Sequence, residues 1–155
     1  MSMDITITGL EELTEDLEKA IKLYPNKAKE TLQSTGQEFR KRAKKITHEA
    51  VFEKTGNLVK GYKLEPVKEV GVDMHVNFRA TAPHFHLIEN GHNQVKQYTK
   101  TLKNGDEIEL KGGGQVIGFV PGRLIVHQAR EEYRVKMPQI MDEMLEEILR
   151  ESDLS

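Results

Sequence analysis

The residues most able to do chemistry lie in one short stretch near the middle of the chain. Three of the six histidines, His84, His86 and His92, fall within nine residues, and Glu89 lies between them. A catalytic zinc site keeps three protein ligands and one open position, and a nearby carboxylate can act as its base. One interpretation is therefore a small metal-dependent hydrolase that uses the three histidines as ligands and Glu89 as base.

The spacing supports this metal site only in part. His84 and His86 are two residues apart, so on a strand both side chains would face the same way. Glu89 is expected in a turn after that strand, so its convergence on the histidines does not follow from the spacing. The sequence has no HExxH motif, and no second carboxylate lies close by to orient the imidazoles.

The alternative is that the same stretch closes a corner between a strand and a short helical turn. Pro83 would end the strand because it lacks an amide donor, and Gly91 would take a positive-φ position after the turn. His84 or His86 would bond backbone groups left over at the turn, and Glu89 would accept from a cation or from backbone donors. We favour this structural role and predict no catalytic, cofactor or metal site. This corner motif consists of Pro83, His84, His86, Glu89, Gly91 and His92.

Composition argues against several other kinds of chemistry. The chain has no cysteine, which excludes disulfides, thiolate zinc sites and cysteine nucleophiles. No serine lies in a nucleophile-elbow motif, and the run Gly112–Gly114 lacks the following Lys-Ser/Thr of a phosphate loop. The formal net charge of −2 favours neither nucleic acid nor membrane. With no signal-peptide pattern and no spanning apolar run, synthesis in the cytoplasm is expected.

Helical patterns on both sides of this stretch predict the elements that hold it. After a short strand at Asp4–Thr8, apolar residues recur at steps of three and four from Leu10 to Tyr24, which predicts an amphipathic helix. Pro25 predicts the start of a second helix or a kink in one long helix. A third helical pattern begins at Ile125, and Pro138 predicts a kink or a restart within it.

Between the helices the apolar period changes to two. A turn at Thr55–Asn57 leads into alternating residues from Leu58 to Leu64 and again from Val70 to Phe78. A bend at Lys68–Gly71 would join these runs into a hairpin with one buried face.

Residues 93–114 are predicted to form an inserted hairpin arm. The strand Val95–Leu102 is polar, Asn104-Gly105 is a strong signal for a two-residue hairpin turn, and Gly112–Gly114 predicts a flexible joint before an apolar strand at Val116–Val120. Because both faces of this arm are polar, we expect it to project or to pair with a neighbouring subunit. Together the elements predict one α+β domain over residues 1–155: an antiparallel sheet packed on one face by two or three long helices, with the arm inserted.

Two oppositely charged segments are further candidates for contact surfaces. A basic patch lies on the second helical pattern, and the acidic segment Asp142–Asp153 could meet it within the fold or between subunits. Contact of the basic patch with nucleic-acid phosphates is a less favoured alternative. The candidate interface residues are Arg40, Lys41, Arg42, Lys44, Lys45, Tyr98, Asn104 and Gly105.

The order of motifs resembles the phage tail-component family. The resemblance rests on Gly9–Leu13 before long charged helices, on Thr55–Leu58, on Ala82–His92, and on Phe119–Gly122 followed by Ala129. These are minor structural proteins of long-tailed double-stranded DNA phages and prophages, also called neck, head–tail joining or tail-completion proteins. The arm at residues 93–114 is a departure, since many relatives have a shorter loop there.

The resemblance implies a virion protein without enzymatic activity or cofactor. Its implied place is the head–tail junction, between the connector and the tail tube, after synthesis in the cytoplasm of a bacterial host. The implied partners are further copies of the same chain, which would form a ring, and the connector and tail-tube proteins. No membrane partner is expected.

Overall fold

Two long helices form the frame of the molecule. The computed structural model describes residues 10–51 and 56–154, and the strand predicted at Asp4–Thr8 lies outside them. Helix α1 spans Leu10–Ala50 and runs through Pro25 without a restart. Between α1 and the last helix, the chain forms α2 (Asn57–Lys60), β1 (Tyr62–Leu64), β2 (Lys68–Val70), β3 (Asp73–His75), β4 (Phe78–Ala80), α3 (Phe85–Asn90), β5 (Gly91–Thr101) and β6 (Glu107–Pro121). Helix α4 spans Ile125–Glu151 and likewise continues through Pro138.

Helices α1 and α4 are antiparallel, and small residues let them approach closely. Their buried seam includes Ala28 and Ala43 on α1 and Ala129 on α4. One core cluster joins the C-terminal end of α1 to the strands and to the start of α4, and a second joins the middle of α1 to the end of α4. The buried residues of these clusters are Ala43, Ile46, Leu58, Tyr62, Ile125 and Ala129 in the first, and Ala28, Met144 and Ile148 in the second.

The alternating segment forms antiparallel pairs in two nested ladders, but the predicted bend at Lys68–Gly71 is wrong. Residues Lys68–Val70 form β2, the turn lies at residues 71–72, and the return run is divided into β3 and β4. Strand β1 pairs antiparallel with β4, and β2 pairs with β3 further out, around a turn where Gly71 has φ 65°. The inner ladder packs on the core, where Phe78 and Tyr62 lie with ring centroids 5.4 Å apart. The outer strand β2 is exposed, so the prediction of one buried face holds only for the inner ladder.

The first part of the predicted strand run is a helical turn instead. Gly56 has φ 68°, and residues Asn57–Lys60 form α2, which buries Leu58 in the core. In so short a segment, the apolar spacing cannot distinguish a strand from a helical turn. Here the chain forms the helical turn, which places Leu58 in the core.

The arm is present, and its tip differs from its prediction. Strand β6 runs from Glu107 to Pro121, and Gly114 pairs with Gln97, next to a shift in the ladder register between Gln97 and Thr99. The flexible joint at Gly112–Gly114 stays a prediction. The tip is a three-residue loop closed between Leu102 and Asp106, with Gly105 at φ 88° as its left-handed residue. The α+β class is confirmed. Its antiparallel pairing forms three two-stranded ladders in the described residues rather than one sheet.

Candidate functional site

The corner motif joins the inner ladder to the arm through helix α3. Strand β4 ends at Ala80, before Pro83, and Thr81 donates from both its amide and its hydroxyl to the carbonyl of Gly61, at 2.9 and 3.0 Å. Phe85 then packs edge-on to Tyr62, with ring centroids 5.9 Å apart. The corner is therefore fixed both by backbone bonds and by the core.

Glu89 connects this corner to the start of helix α4. Its two carboxylate oxygens accept from the amides of Val126 and His127, at 3.1 and 3.0 Å. The residue before the helix is Leu124, which has φ 51° and offers no side-chain acceptor. Glu89 thus satisfies two amides that a local capping residue would otherwise satisfy, and its charge suits the positive end of the helix dipole. Of the two roles predicted for it, the structure shows acceptance from backbone donors.

The base of the arm is a close crossing of two glycine-containing segments. Gly91 has the predicted positive φ, 84°. A Cβ at Gly91 would lie 2.5 Å from the carbonyl oxygen of Val120 and 2.7 Å from the amide nitrogen of Gly122. The amide of Arg123 also donates to the carbonyl of Ile88 at 2.7 Å. Helix α3, the arm and the start of α4 are therefore locked together at one point.

The three histidines are not brought together. Helix α3 begins at Phe85, with His84 as its N-cap residue and His86 within the helix, so the placement of these two histidines together on a strand is wrong. Both are exposed, whereas His92 lies on β5 with a buried Nδ1 that has no hydrogen-bond partner among the described residues. In the part of the chain that the structure describes, no three His, Asp or Glu side chains are grouped to hold a metal ion. The hydrolase interpretation gains no geometric support.

The basic patch is divided between an internal ion pair and solvent. Arg42 donates from its Nε and its Nη2 to the two carboxylate oxygens of Glu132 on α4, at 2.6 and 2.5 Å. These bonds raise the pKa of Arg42 and lower the pKa of Glu132. Lys41 and Lys45 are exposed, and Arg40 and Lys44 are half-buried.

The acidic segment Asp142–Asp153 does not meet the basic patch, so that prediction is wrong within the fold. The antiparallel register places it against the first half of α1, where Lys27 bonds Glu147 and Glu151, each at 2.8 Å. These carboxylates raise the pKa of Lys27, and Lys27 lowers the pKa of Glu147. Lys19 reaches Asp153 at 3.4 Å. The pattern of charges in the sequence does not predict how α1 and α4 are aligned, so it could not predict which lysines the acidic segment meets.

Two exposed apolar surfaces were not identified from the sequence as interfaces. The first, here called the α1 stripe, consists of Leu13, Leu17, Ile21 and Tyr24, each about half exposed or more. The second, here called the arm face, consists of Val95, Val116 and Phe119. Val95 pairs with Val116, and Phe119 pairs with residue 93, so the three lie on one side of the arm. The sequence did contain a signal for both surfaces. Each lies in a segment with regularly spaced apolar residues, and no other apolar element was predicted to pack against that segment.

The remaining candidate interface residues lie on the arm and are exposed. Tyr98 is 56% exposed. At the tip, the amide of Asn104 donates to Asp106 at 2.7 Å, and Gly105 takes the left-handed conformation. All side chains from residue 93 to residue 108 are exposed, which means that the arm is not packed on the rest of its own chain.

A family model described as "Bacteriophage HK97-gp10, putative tail-component" matches residues 11–91, a little over half of the chain. The protein belongs to this HK97-gp10-like family. No curated protein and no solved structure matches the chain. The resemblance to the phage tail-component family inferred from the sequence is thereby confirmed.

The matched HK97-gp10-like segment covers α1, the nested hairpin and the corner up to Gly91. The arm and α4 lie beyond the match, so the resemblance at Phe119–Gly122 and Ala129 stays a prediction. Within the described residues, neither long helix has a segment apolar enough to cross a membrane.

Proposed function

We propose that this HK97-gp10-like protein is a non-enzymatic structural subunit at the head–tail junction of a phage virion. It would act in tail completion or head–tail joining, by docking rather than by chemistry. Family membership supports the role as a tail component.

The observation that best supports docking is the hairpin arm. Its base is clamped at Gly91 and Gly122, yet its side chains from residue 93 to residue 108 are exposed. An ordered two-stranded ribbon without a packed face is marginal in isolation, so a surface that covers it in an assembly would stabilise it. We propose that the arm and the outer helices join copies of the chain into a ring.

The further partners in this proposal are the connector and the tail-tube proteins. The exposed amines of Lys41 and Lys45, with Tyr98, Asn104 and Gly105 on the arm, are the residues proposed to meet neighbouring subunits or these partners. Nucleic-acid contact is less favoured. The strongest donor of the basic patch, Arg42, is already engaged by Glu132, which leaves a smaller charge to attract phosphates.

Deleting the gene from a phage or inducible prophage that carries it tests the junction role. We expect DNA-filled heads and complete tails that are not joined, seen by negative-stain electron microscopy, with joining restored by a plasmid copy. A plasmid copy lacking residues 95–110 should give a folded monomer that does not restore joining. Normal virions without the gene, or loss of heads or tails themselves, would contradict the proposal.

A further inference from the structure

The sequence contains two Asn-Gly pairs, and the fold places them in opposite surroundings. They are Asn90-Gly91, at the end of helix α3, and Asn104-Gly105, at the tip of the arm. Asparagine is a thermolabile residue, because the main-chain nitrogen of the next residue can attack its side-chain amide carbon. Glycine hinders this attack least, since it has no Cβ and allows more main-chain conformations. The local structure around each pair therefore decides whether the reaction occurs.

The structure holds Asn90-Gly91 in a conformation that opposes the attack. Asn90 is the last residue of α3, and the amide of Gly91 donates to the carbonyl of Leu87. The same amide nitrogen lies against Gly122, where a Cβ would be only 2.7 Å from it. Ring closure at Asn90 would require rotation about its main-chain bonds. That rotation would undo both the end of the helix and the crossing at the base of the arm.

The pair Asn104-Gly105 lies where the arm has no packing. The amide of Gly105 donates to the carbonyl of Leu102 at 2.9 Å, and the side-chain amide of Asn104 donates to Asp106 at 2.7 Å. All four residues are exposed, and a Cβ at Gly105 would meet nothing within 4 Å beyond its chain neighbours. Exposed hydrogen bonds without buried apolar contacts open at little cost in free energy. The tip can therefore reach the reactive geometry while the rest of the fold stays intact.

We propose that Asn104 is a site of spontaneous deamidation, and that the corner protects Asn90 from the same reaction. The nitrogen of Gly105 forms a bond to the side-chain carbon of Asn104. Its proton passes through solvent to the leaving amide nitrogen, and ammonia departs, which gives a cyclic succinimide. Water then opens the ring at either of its carbonyl carbons and leaves aspartate or isoaspartate at position 104.

The reaction changes the tip of the arm in charge and in shape. It replaces a neutral amide by a carboxylate close to Asp106 and Glu107. In isoaspartate the main chain runs through the former side chain, which lengthens the loop closed between Leu102 and Asp106. Asn104 is among the residues proposed to meet neighbouring subunits, so a converted arm presents a different docking surface. Only this consequence rests on the proposed function, and the reaction itself does not.

Mass spectrometry of the folded protein tests the proposal. The purified protein is incubated in mildly alkaline buffer and digested in isotopically heavy water, so that conversion during digestion is recognised by its label. The exchange of NH2 for OH is followed at both asparagines. We expect conversion at Asn104 to be faster than at Asn90 by about tenfold or more, since tenfold requires a difference of only about 1.4 kcal/mol in opening free energy. In urea the two sites should convert at similar rates, because the fold no longer distinguishes them.

Two variants separate the two sites. Asn104→Gln should lose conversion at the tip of the arm and leave the rate at Asn90 unchanged. Glu89→Ala removes the acceptor of two α4 amides and loosens the corner, so it should raise the rate at Asn90 and leave the rate at Asn104 unchanged.

Three outcomes would count against the proposal. Equal rates at the two sites in the folded protein, or an intact Asn104 under conditions in which the chain in urea converts, would overturn it. An unchanged rate at Asn90 in the Glu89→Ala chain would reject the protecting role of the corner. The gene deletion tests the junction role separately, so failure of one proposal is distinguishable from failure of the other.

Discussion

Glu89 offers the sharpest test of how the corner is held together. It supplies both oxygens to the first amides of helix α4, at 3.1 and 3.0 Å, where Leu124 provides no local cap. Loss of a helix cap costs about 0.5–2 kcal/mol, and hydrogen bonds to a charged group lie near the upper end. We therefore expect Glu89→Ala to lower the free energy of unfolding by about 2 kcal/mol, since two bonds and a favourable charge are lost together.

Glu89→Gln separates geometry from charge, because its amide keeps one acceptor oxygen of similar shape. We expect it to cost about 1 kcal/mol, roughly half of the alanine effect. The assay is urea denaturation followed by circular dichroism, with a thermal shift of roughly 2–4 °C per kcal/mol as a second readout for a domain of this size. Glu131→Gln is the matched control, because Glu131 contacts Arg134 on the exposed side of the same helix, and it should cost less than about 0.5 kcal/mol. If Glu89→Ala costs no more than this control, the capping argument is refuted.

Three other perturbations test separate parts of the structure. Gly91→Ala should destabilise the fold by about 2 kcal/mol or more, because the alanine would have a strained φ and would clash with Val120. Gly71→Ala has a similar φ, 65°, but open space around it, and should cost about 1 kcal/mol. Equal costs in urea denaturation would contradict the close crossing of Gly91 with the segment at Val120. Arg42 lowers the pKa of Glu132 from 4.5, so the ion pair stabilises the folded protein above that value, and this contribution is lost as the pH falls below about 4.5. Glu132→Gln should therefore flatten the acid limb of a curve of unfolding free energy against pH. An unchanged limb would count against the pair. Untagged protein should carry no stoichiometric zinc by elemental analysis; zinc that is lost in a His84→Ala/His86→Ala variant would instead revive the hydrolase interpretation.

The sequence predicted those elements that depend on local chemistry. Apolar steps of three and four predicted the long helices, and the two alternating runs predicted the antiparallel pairing that β1 and β4 make. Gly91 was assigned its positive φ because a turn had to end there. The pattern could not decide whether Pro25 begins a helix, because a proline inside a helix is tolerated when tertiary packing compensates for its missing donor. Here the small-residue seam beyond Pro25 packs on α4 and supplies that compensation.

What the sequence could not give depends on contacts between distant residues. Arg42 meets Glu132 only because of the antiparallel register of two helices, and the same register takes the acidic segment to Lys27. The histidines were misplaced because a six-residue helix replaced the expected strand, which changed the side-chain direction from a period of two to about 3.6. The role of Glu89 had one available signal. No Ser, Thr, Asp or Asn stands just before Ile125, so that helix needed an acceptor from elsewhere.

The corner connects the part of the chain that matches the family to the part that does not. Glu89 and Gly91 end the matched segment, and their partners, Val126 and Gly122, lie on the far side of the arm. The arm therefore leaves the body from a clamped base, and docking it costs less conformational entropy than docking a free loop would. It follows that Gly91→Ala should weaken self-association even at temperatures where the body stays folded, whereas Gly71→Ala, on the outer hairpin, should not. Native mass spectrometry of both variants at equal concentration can decide this, and equal oligomer fractions would show that the clamp has no part in assembly.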